Sequence, residues 1–157
     1  MQSLVLYDSY FGNTQQIAQA VYEILNARGQ AQIMHVNDAV AGQAAEADLL
    51  IIGSPTRAFS ATAPVKGFIK KLPRHSLRNT RVAAFDTRMQ VEQIDSKFLH
   101  TMVNWFGYAA DPLTKQLTGK GGVLAVPPIG FFVKDEKGPL FPGEVERARD
   151  WAKGLIA

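Results

Sequence analysis

The chain of 157 residues contains no cysteine. That one absence excludes disulfides, iron–sulfur clusters, thiol nucleophiles and thiolate zinc sites. Redox chemistry, if this protein performs any, therefore needs an organic cofactor. Long hydrophobic runs are missing as well. No apolar stretch approaches the roughly 20 residues of a membrane span. The sequence enters a strand-like segment at once, without a charged and then apolar leader, so the expected location is cytoplasmic and no signal peptide is expected. Acid is lacking in one long stretch: between Leu49 and Phe85 there is no Asp or Glu, while Arg57, Lys66, Lys70, Lys71, Arg74, Arg78 and Arg81 are all basic. A solvated helix face and a docking surface for an acidic partner both account for that bias. Nucleic-acid binding does not, because no recognition motif or interleaved aromatic platform accompanies the charge. His35, His75 and His100 are scattered without carboxylates at ligand spacing, which gives no metal site. No G-x-S-x-G elbow and no acid/base cluster marks a catalytic residue.

What is present is an alternation of strand-like and helix-like segments from one end to the other. Ser3–Tyr7, Gln32–Val36, Leu49–Gly53, Arg81–Phe85 and Val123–Val126 read as strands, the last broken by Pro127 and Pro128. Leu49–Gly53 is apolar throughout, as suits a parallel strand covered on both faces. Between them the apolar spacing predicts a helix from Asn13 to about Gly29, with Asn13 as N-cap and Gln16 completing a capping box. It also predicts a short helix capped by Asp38, a helix from Pro64 to Leu72, one over Ser96–Phe106, and one over Gly143–Ile156. Composition is ordinary for a globular chain, at 46% hydrophobic and 20% charged residues with a formal charge of +3. No linker or repeat divides it, so a single domain over residues 1–157 is expected.

This pattern implies an α/β fold: a doubly wound, five-stranded parallel sheet in the order 2-1-3-4-5, with helices on both faces. In such sheets ligands bind beyond the carboxyl ends of the strands, at the point where the strand order reverses. The loops that meet there carry the chain's least ordinary chemistry. The first, Ser9-Tyr10-Phe11-Gly12-Asn13-Thr14, holds hydroxyls, an amide and a glycine, with no lysine or arginine. It suits an anion neutralised by backbone N–H groups and a helix dipole. The second contains Pro55-Thr56-Arg57-Ala58-Phe59, and the third Asp86-Thr87-Arg88.

Residues 9–14 resemble the phosphate loop of flavodoxins and related FMN proteins. Gly53-Ser54-Pro55-Thr56-Arg57-Ala58-Phe59 is similar to the second flavin loop, in the version found in flavodoxin-fold NAD(P)H:quinone reductases. The resemblance implies a noncovalently held FMN passing one or two electrons to or from a redox partner protein, either a reductase or an acceptor. It implies that Ser9, Tyr10, Phe11, Gly12, Asn13 and Thr14 surround the phosphate, and that Pro55, Thr56, Arg57 and Phe59 line the ring. Thr56 and Arg57 would donate to the N1/O2 edge. Asp86, Thr87 and Arg88 would form the third wall. For Asp86, two readings stand: acceptor for flavin N3–H, or a cap within its own loop. This third loop has no tyrosine, in contrast to flavodoxins whose ring is sandwiched there. Two further functions accompany the electron carrier, namely an FMN-dependent NAD(P)H:quinone oxidoreductase and a flavodoxin-like interaction module without flavin. The basic stretch adds an expectation that a bound flavin has a less negative potential than in acidic flavodoxins.

Overall fold

The computed structural model describes residues 1–57, 60–90, 97 and 108–157. Its sheet contains β1 (Gln2–Tyr7), β2 (Gln30–His35), β3 (Leu49–Pro55), β4 (Arg81–Met89), β5 (Val123–Leu124) and β6 (Ile129–Val133). The order is β2-β1-β3-β4-β5, and β6 also pairs with β4; all pairings are parallel. The expected doubly wound α/β sheet is therefore the observed one. Its fifth position is shared by two short strands. β5 lies beside Arg81 and Val82, and β6 beside Phe85–Met89. Pro127 and Pro128 fall between them, where a missing N–H breaks the ladder without harming either piece.

Helices α1 (Asn13–Asn26), α2 (Ala41–Glu46), α3 (Ala63–Lys71), α4 (Ala110–Gly119) and α5 (Glu144–Leu155) cover the sheet. Strand side chains alternate between faces, and the two cores follow from that. Leu4, Leu6, Leu50, Ile52, Val82 and Ala84 point to one face and pack with Val65, Ile69, Leu113 and Leu117 of α3 and α4. Val5, Leu49, Ile51, Ala83 and Phe85 point to the other and pack with Ile17, Val21, Leu25, Ala148 and Ala152 of α1 and α5. Phe85, Phe131 and Trp151 meet edge to face there, with centroids 5.9–6.4 Å apart.

Two local expectations are corrected. The N-cap of α1 is Gly12, not Asn13, and no side chain caps the helix. Gly12 has φ +92°, a conformation asparagine reaches only at a cost, so the loop turns there and Asn13 enters the helix. Asp38 does not start α2: Val36–Asp38 forms a 3₁₀ turn, and α2 begins at Ala41 with the Gln43 carboxamide oxygen accepting the Val40 N–H at 2.8 Å. The helix expected over Ser96–Phe106 lies outside the described residues, apart from Lys97. No helix among the described residues is long and apolar enough to cross a membrane.

Candidate functional site

The strand order reverses between β1 and β3, since β1 connects to β2 on one side and the chain then crosses to β3 on the other. Beyond the carboxyl ends of these strands opens a cleft, where ligands of doubly wound sheets bind. Ser9, Tyr10, Phe11, Asn13 and Thr14 line it from the first loop, Pro55, Thr56 and Arg57 from the second, and Thr87, Arg88 and Met89 from the end of β4. Val133 and Glu136, from the end of β6 and the turn after it, complete the wall. Of the other residues read as site candidates, Gly12 serves as the N-cap of α1 and Asp86 lies beneath the surface. Phe59 falls outside the described residues.

The first loop is held from below. Ser9 Oγ accepts the Gly12 N–H at 3.0 Å, and Asp8 Oδ1 accepts the Ser9 N–H at 2.9 Å. The same Asp8 oxygen lies 2.8 Å from His35 Nε2, while His35 Nδ1 accepts the Asn37 N–H. That second bond assigns the proton of neutral His35 to Nε2, which donates to Asp8. Thr14 is almost fully buried, and its hydroxyl meets that of Thr87 at 2.7 Å, tying the loop to β4. Because Gly12 brings no side-chain cap, the first N–H groups of α1 have no partner within the helix or from its cap. Asn13 and Thr14 of this first turn line the cleft, at the positive end of the helix dipole.

The second loop is shaped by Ser54, whose hydroxyl donates to the Pro55 carbonyl at 2.9 Å and accepts the Thr62 N–H at 3.0 Å. Thr56 N–H donates to the Thr87 carbonyl, and Thr56 Oγ1 accepts the Ala109 N–H at 3.1 Å. Arg57 reaches across the mouth. Its guanidinium stands 5.1 Å from the Tyr10 ring centroid and 5.8 Å from that of Phe11, and it pairs with Glu136 at 3.2 Å.

The third wall rests on a buried ion pair. Asp86 is fully buried, and Arg88 grips it with two bonds, Nε to Oδ1 at 2.6 Å and Nη2 to Oδ2 at 2.7 Å. The Ala110 N–H donates to Oδ2 at 2.9 Å. Burial pushes the Asp86 carboxyl above its ordinary value, and the Arg88 fork, its charge and the Ala110 N–H pull against it. Of the two readings of Asp86, the geometry places its oxygens on protein donors. Tyr108 lies over the Arg88 guanidinium, 3.9 Å from it to the ring centroid, so the aromatic partner here covers a cation. Arg88 and Asp86 are two apart on one strand, and such residues share a face.

The turn after β6 was not among the site candidates, yet it walls the cleft. Its carbonyl at Lys137 accepts Asn13 Nδ2–H at 3.1 Å. Gly138 (φ +100°) passes so close that an added Cβ would lie 2.5 Å from Asn13 Oδ1. The turn is anchored by Glu144, which accepts the Phe132 N–H at 2.7 Å and the Arg147 guanidinium at 2.6 and 2.9 Å. Among the described residues no cluster of three or more His, Asp or Glu side chains is placed to hold a metal.

A family model described as a flavodoxin domain matches residues 4–134. The chain belongs to the flavodoxin-domain family. Flavodoxin-domain proteins are FMN-binding flavoproteins, and the donor set of this cleft fits FMN: uncharged hydroxyls and free helix N–H groups at one end, and a threonine–arginine pair at the other. No curated protein matches the chain. Among solved structures it is similar to flavodoxin 2 from Bacillus cereus, at 18% identity and a TM-score of 0.75, over 99% of this chain and 98% of that one. A flavodoxin from the domain Archaea aligns over 100% of both chains at 20% identity and a TM-score of 0.69. The rubredoxin oxygen:oxidoreductase of Desulfovibrio gigas matches at 20% identity and a TM-score of 0.73. That alignment covers 98% of this chain but 35% of the oxidoreductase, so the flavodoxin-like chain spans about a third of that protein's length. At these identities the likeness is one of fold.

Proposed function

We propose that this flavodoxin-like chain holds FMN in the switch-point cleft and acts as an electron carrier between redox partner proteins. The observation that carries this reading is the first loop: an uncapped helix N-terminus, lined by Ser9 and Thr14, opening into a cleft whose far side is Thr56, Arg57 and Thr87. Such an N-terminus binds phosphate through backbone N–H groups and the helix dipole. Bound FMN would supply one- or two-electron transfer. The chain's own residues would then bind and orient it. Ser9 and Thr14 would offer hydroxyls to the phosphate, and Thr56 and Arg57 would donate to the ring edge. Tyr10 and Phe11, both exposed, would shield the phosphate end from water.

A carrier needs a surface for its partner. Lys66, Lys70, Lys71, Arg74 and Arg78 of α3 and the turn after it are all exposed, and none forms an ion pair among the described residues. This face supports an acidic partner, with long-range attraction that weakens as salt rises.

The quinone reductase reading draws on the similarity of the Pro55-Thr56-Arg57 loop. Against it, Arg57 and Arg88 at the cleft are already matched by Glu136 and Asp86. One set of measurements tests both. The purified protein should be yellow with one FMN per chain, and NAD(P)H with a quinone should give no turnover until a flavin reductase is added. Turnover by the protein alone would replace the carrier with a reductase. A colourless protein that takes up no FMN on titration would leave an interaction module instead.

A further inference from the structure

Thr14 and Thr87 meet where the first loop touches the sheet, and their hydroxyls leave one proton over. The two oxygens lie 2.7 Å apart, in residues separated by 73 positions of sequence. Both residues are almost fully buried, at 1% and 6% exposure, yet both line the cleft. Neither hydroxyl has another hydrogen-bond partner among the described residues. A threonine hydroxyl has one proton to donate and lone pairs with which to accept. Two hydroxyls bonded to each other therefore spend one proton and keep one. A donor left unspent in a buried place costs free energy until an acceptor arrives. The open side, from which an acceptor can come, is the cleft.

Position decides which hydroxyl keeps that proton once an anion is bound. Thr87 is fixed on the sheet, paired with Pro55 of β3 and Phe131 of β6, and its carbonyl accepts the Thr56 N–H at 3.0 Å. Thr14 stands in the first turn of α1, among N–H groups without a partner in the helix or from its cap. An anion gathered by those N–H groups takes its proton from Thr14, the hydroxyl of the same turn. Thr87 must then be the donor within the pair. We propose that Thr87 is a positioning residue for the flavin phosphate: its hydroxyl donates to Thr14 Oγ1 and so leaves the Thr14 proton for the phosphate. This rests on the FMN reading above and gives Thr87 a task distinct from lining the ring. Each bond in such a chain polarises the next, so the outer bond gains from the inner one. Neither side chain brings a charge, in keeping with a loop that holds its anion by N–H groups and the helix dipole.

The test compares FMN with riboflavin, which lacks the phosphate, in the full chain by quenching of flavin fluorescence. Thr87→Val keeps the shape and removes the hydroxyl. It should weaken FMN about fivefold, the scale of one neutral hydrogen bond, and leave riboflavin unchanged. Thr87→Ser should restore FMN affinity. Thr14→Val should weaken FMN by roughly tenfold or more, since that bond meets a charged group. The deciding measurement is the double variant. With Thr14→Val in place, Thr87→Val should cost FMN nothing further, because Thr87 acts only through Thr14. A full additional loss there means that Thr87 touches the phosphate itself and overturns the assignment. Equal weakening of both flavins by Thr87→Val, or no weakening of FMN, also overturns it while leaving the FMN reading in place. A native protein that binds neither flavin overturns both.

Discussion

Replacing Glu144 by glutamine tests how the wall of the cleft is held. Glu144 is the first residue of α5, and its side chain is 10% exposed. It accepts three hydrogen bonds, from the Phe132 N–H at 2.7 Å and from Arg147 Nε and Nη2 at 2.9 and 2.6 Å. Arg147 also donates to the Gly130 carbonyl at 2.5 Å and lies over the Phe131 ring, 4.7 Å from its centroid. The pair thus pins β6, an edge strand, to α5. Burial alone would raise the Glu144 carboxyl, but the bonds from Arg147 and Phe132 together with the Arg147 charge outweigh it, and its pKa lies below the ordinary 4.5. A depressed carboxylate contributes stability that is present above its unfolded value and lost as pH falls through its folded value. Glutamine keeps one acceptor for Phe132 but turns an amide N–H₂ toward the arginine. The expected loss at pH 7 is about 2 kcal/mol, in the range for bonds to a charged group. For a chain of this size that lowers Tm by roughly 4–8 °C. Urea unfolding of both proteins across pH gives the test, with equal m values as the check that the two unfold alike. The gap should be full at pH 7 and begin to shrink as pH drops below 4.5, where the unfolded chain's glutamate takes up its proton. It should close at lower pH, where the native glutamate becomes neutral as well. A gap that is the same in acid and at neutrality, or absent at pH 7, refutes the reasoning.

Asp86→Ala leaves the buried guanidinium of Arg88 and the Ala110 N–H without their acceptor, and should cost about 3–5 kcal/mol by chemical denaturation; a loss under about 1 kcal/mol, the scale of an exposed pair, would mean that water replaces the carboxylate. Gly138→Ala forces a side chain into the left-handed region and a Cβ against Asn13. It should destabilise by about 1–2 kcal/mol and weaken flavin binding, since the turn and the first loop must part; unchanged affinity by flavin titration would detach the turn from the site. Glu136→Gln frees Arg57 at the mouth of the cleft. A unit charge some 8 Å from a flavin contributes about 2 kcal/mol at an effective dielectric of 20, and screening reduces this because both partners are partly exposed. The potential of bound FMN, measured by equilibration with reference dyes, should therefore rise by tens of millivolts, on the order of 59 mV per tenfold change in a one-electron equilibrium. A fall in potential would place Arg57 away from the ring.

Elements with strong periodicity were legible in the sequence because burial decides them. β3 is apolar at every position from Leu49 to Ile52, and α1 shows Ile17, Val21 and Leu25 on one stripe; both stand where the pattern puts them. The first and second loops were legible for a different reason, since glycine, hydroxyl and amide residues after a buried strand have few other uses. What resisted was set by backbone angles and by contacts distant in sequence. Gly12 displaced Asn13 as the cap through a positive φ that no composition reveals. The turn after β6 reaches the first loop through Asn13 and Lys137, 124 positions apart, and only the strand order brings them together. Asp86 and Arg88 could have been paired beforehand: two apart on a strand, oppositely charged and on one face, they had each other as the nearest partner.

That pairing alters the electrostatics of the cleft. Counting residues along the chain makes the second and third loops basic, with Arg57 and Arg88 in or near a stretch free of acid. Counting by position gives a different sum. Arg88 grips the buried Asp86 with two bonds, and at a distance the two fields largely cancel. Arg57 faces Glu136, delivered from a part of the chain that is richer in acid. The second and third loops are thus close to neutral, and the five cations of α3 and its turn, none of them ion-paired among the described residues, lie outside the wall of the cleft. A potential less negative than in acidic flavodoxins would then owe little to these two arginines. The net positive charge that sequence alone assigns to tuning a flavin thus sits on α3 and its turn, where the proposed acidic partner would meet it.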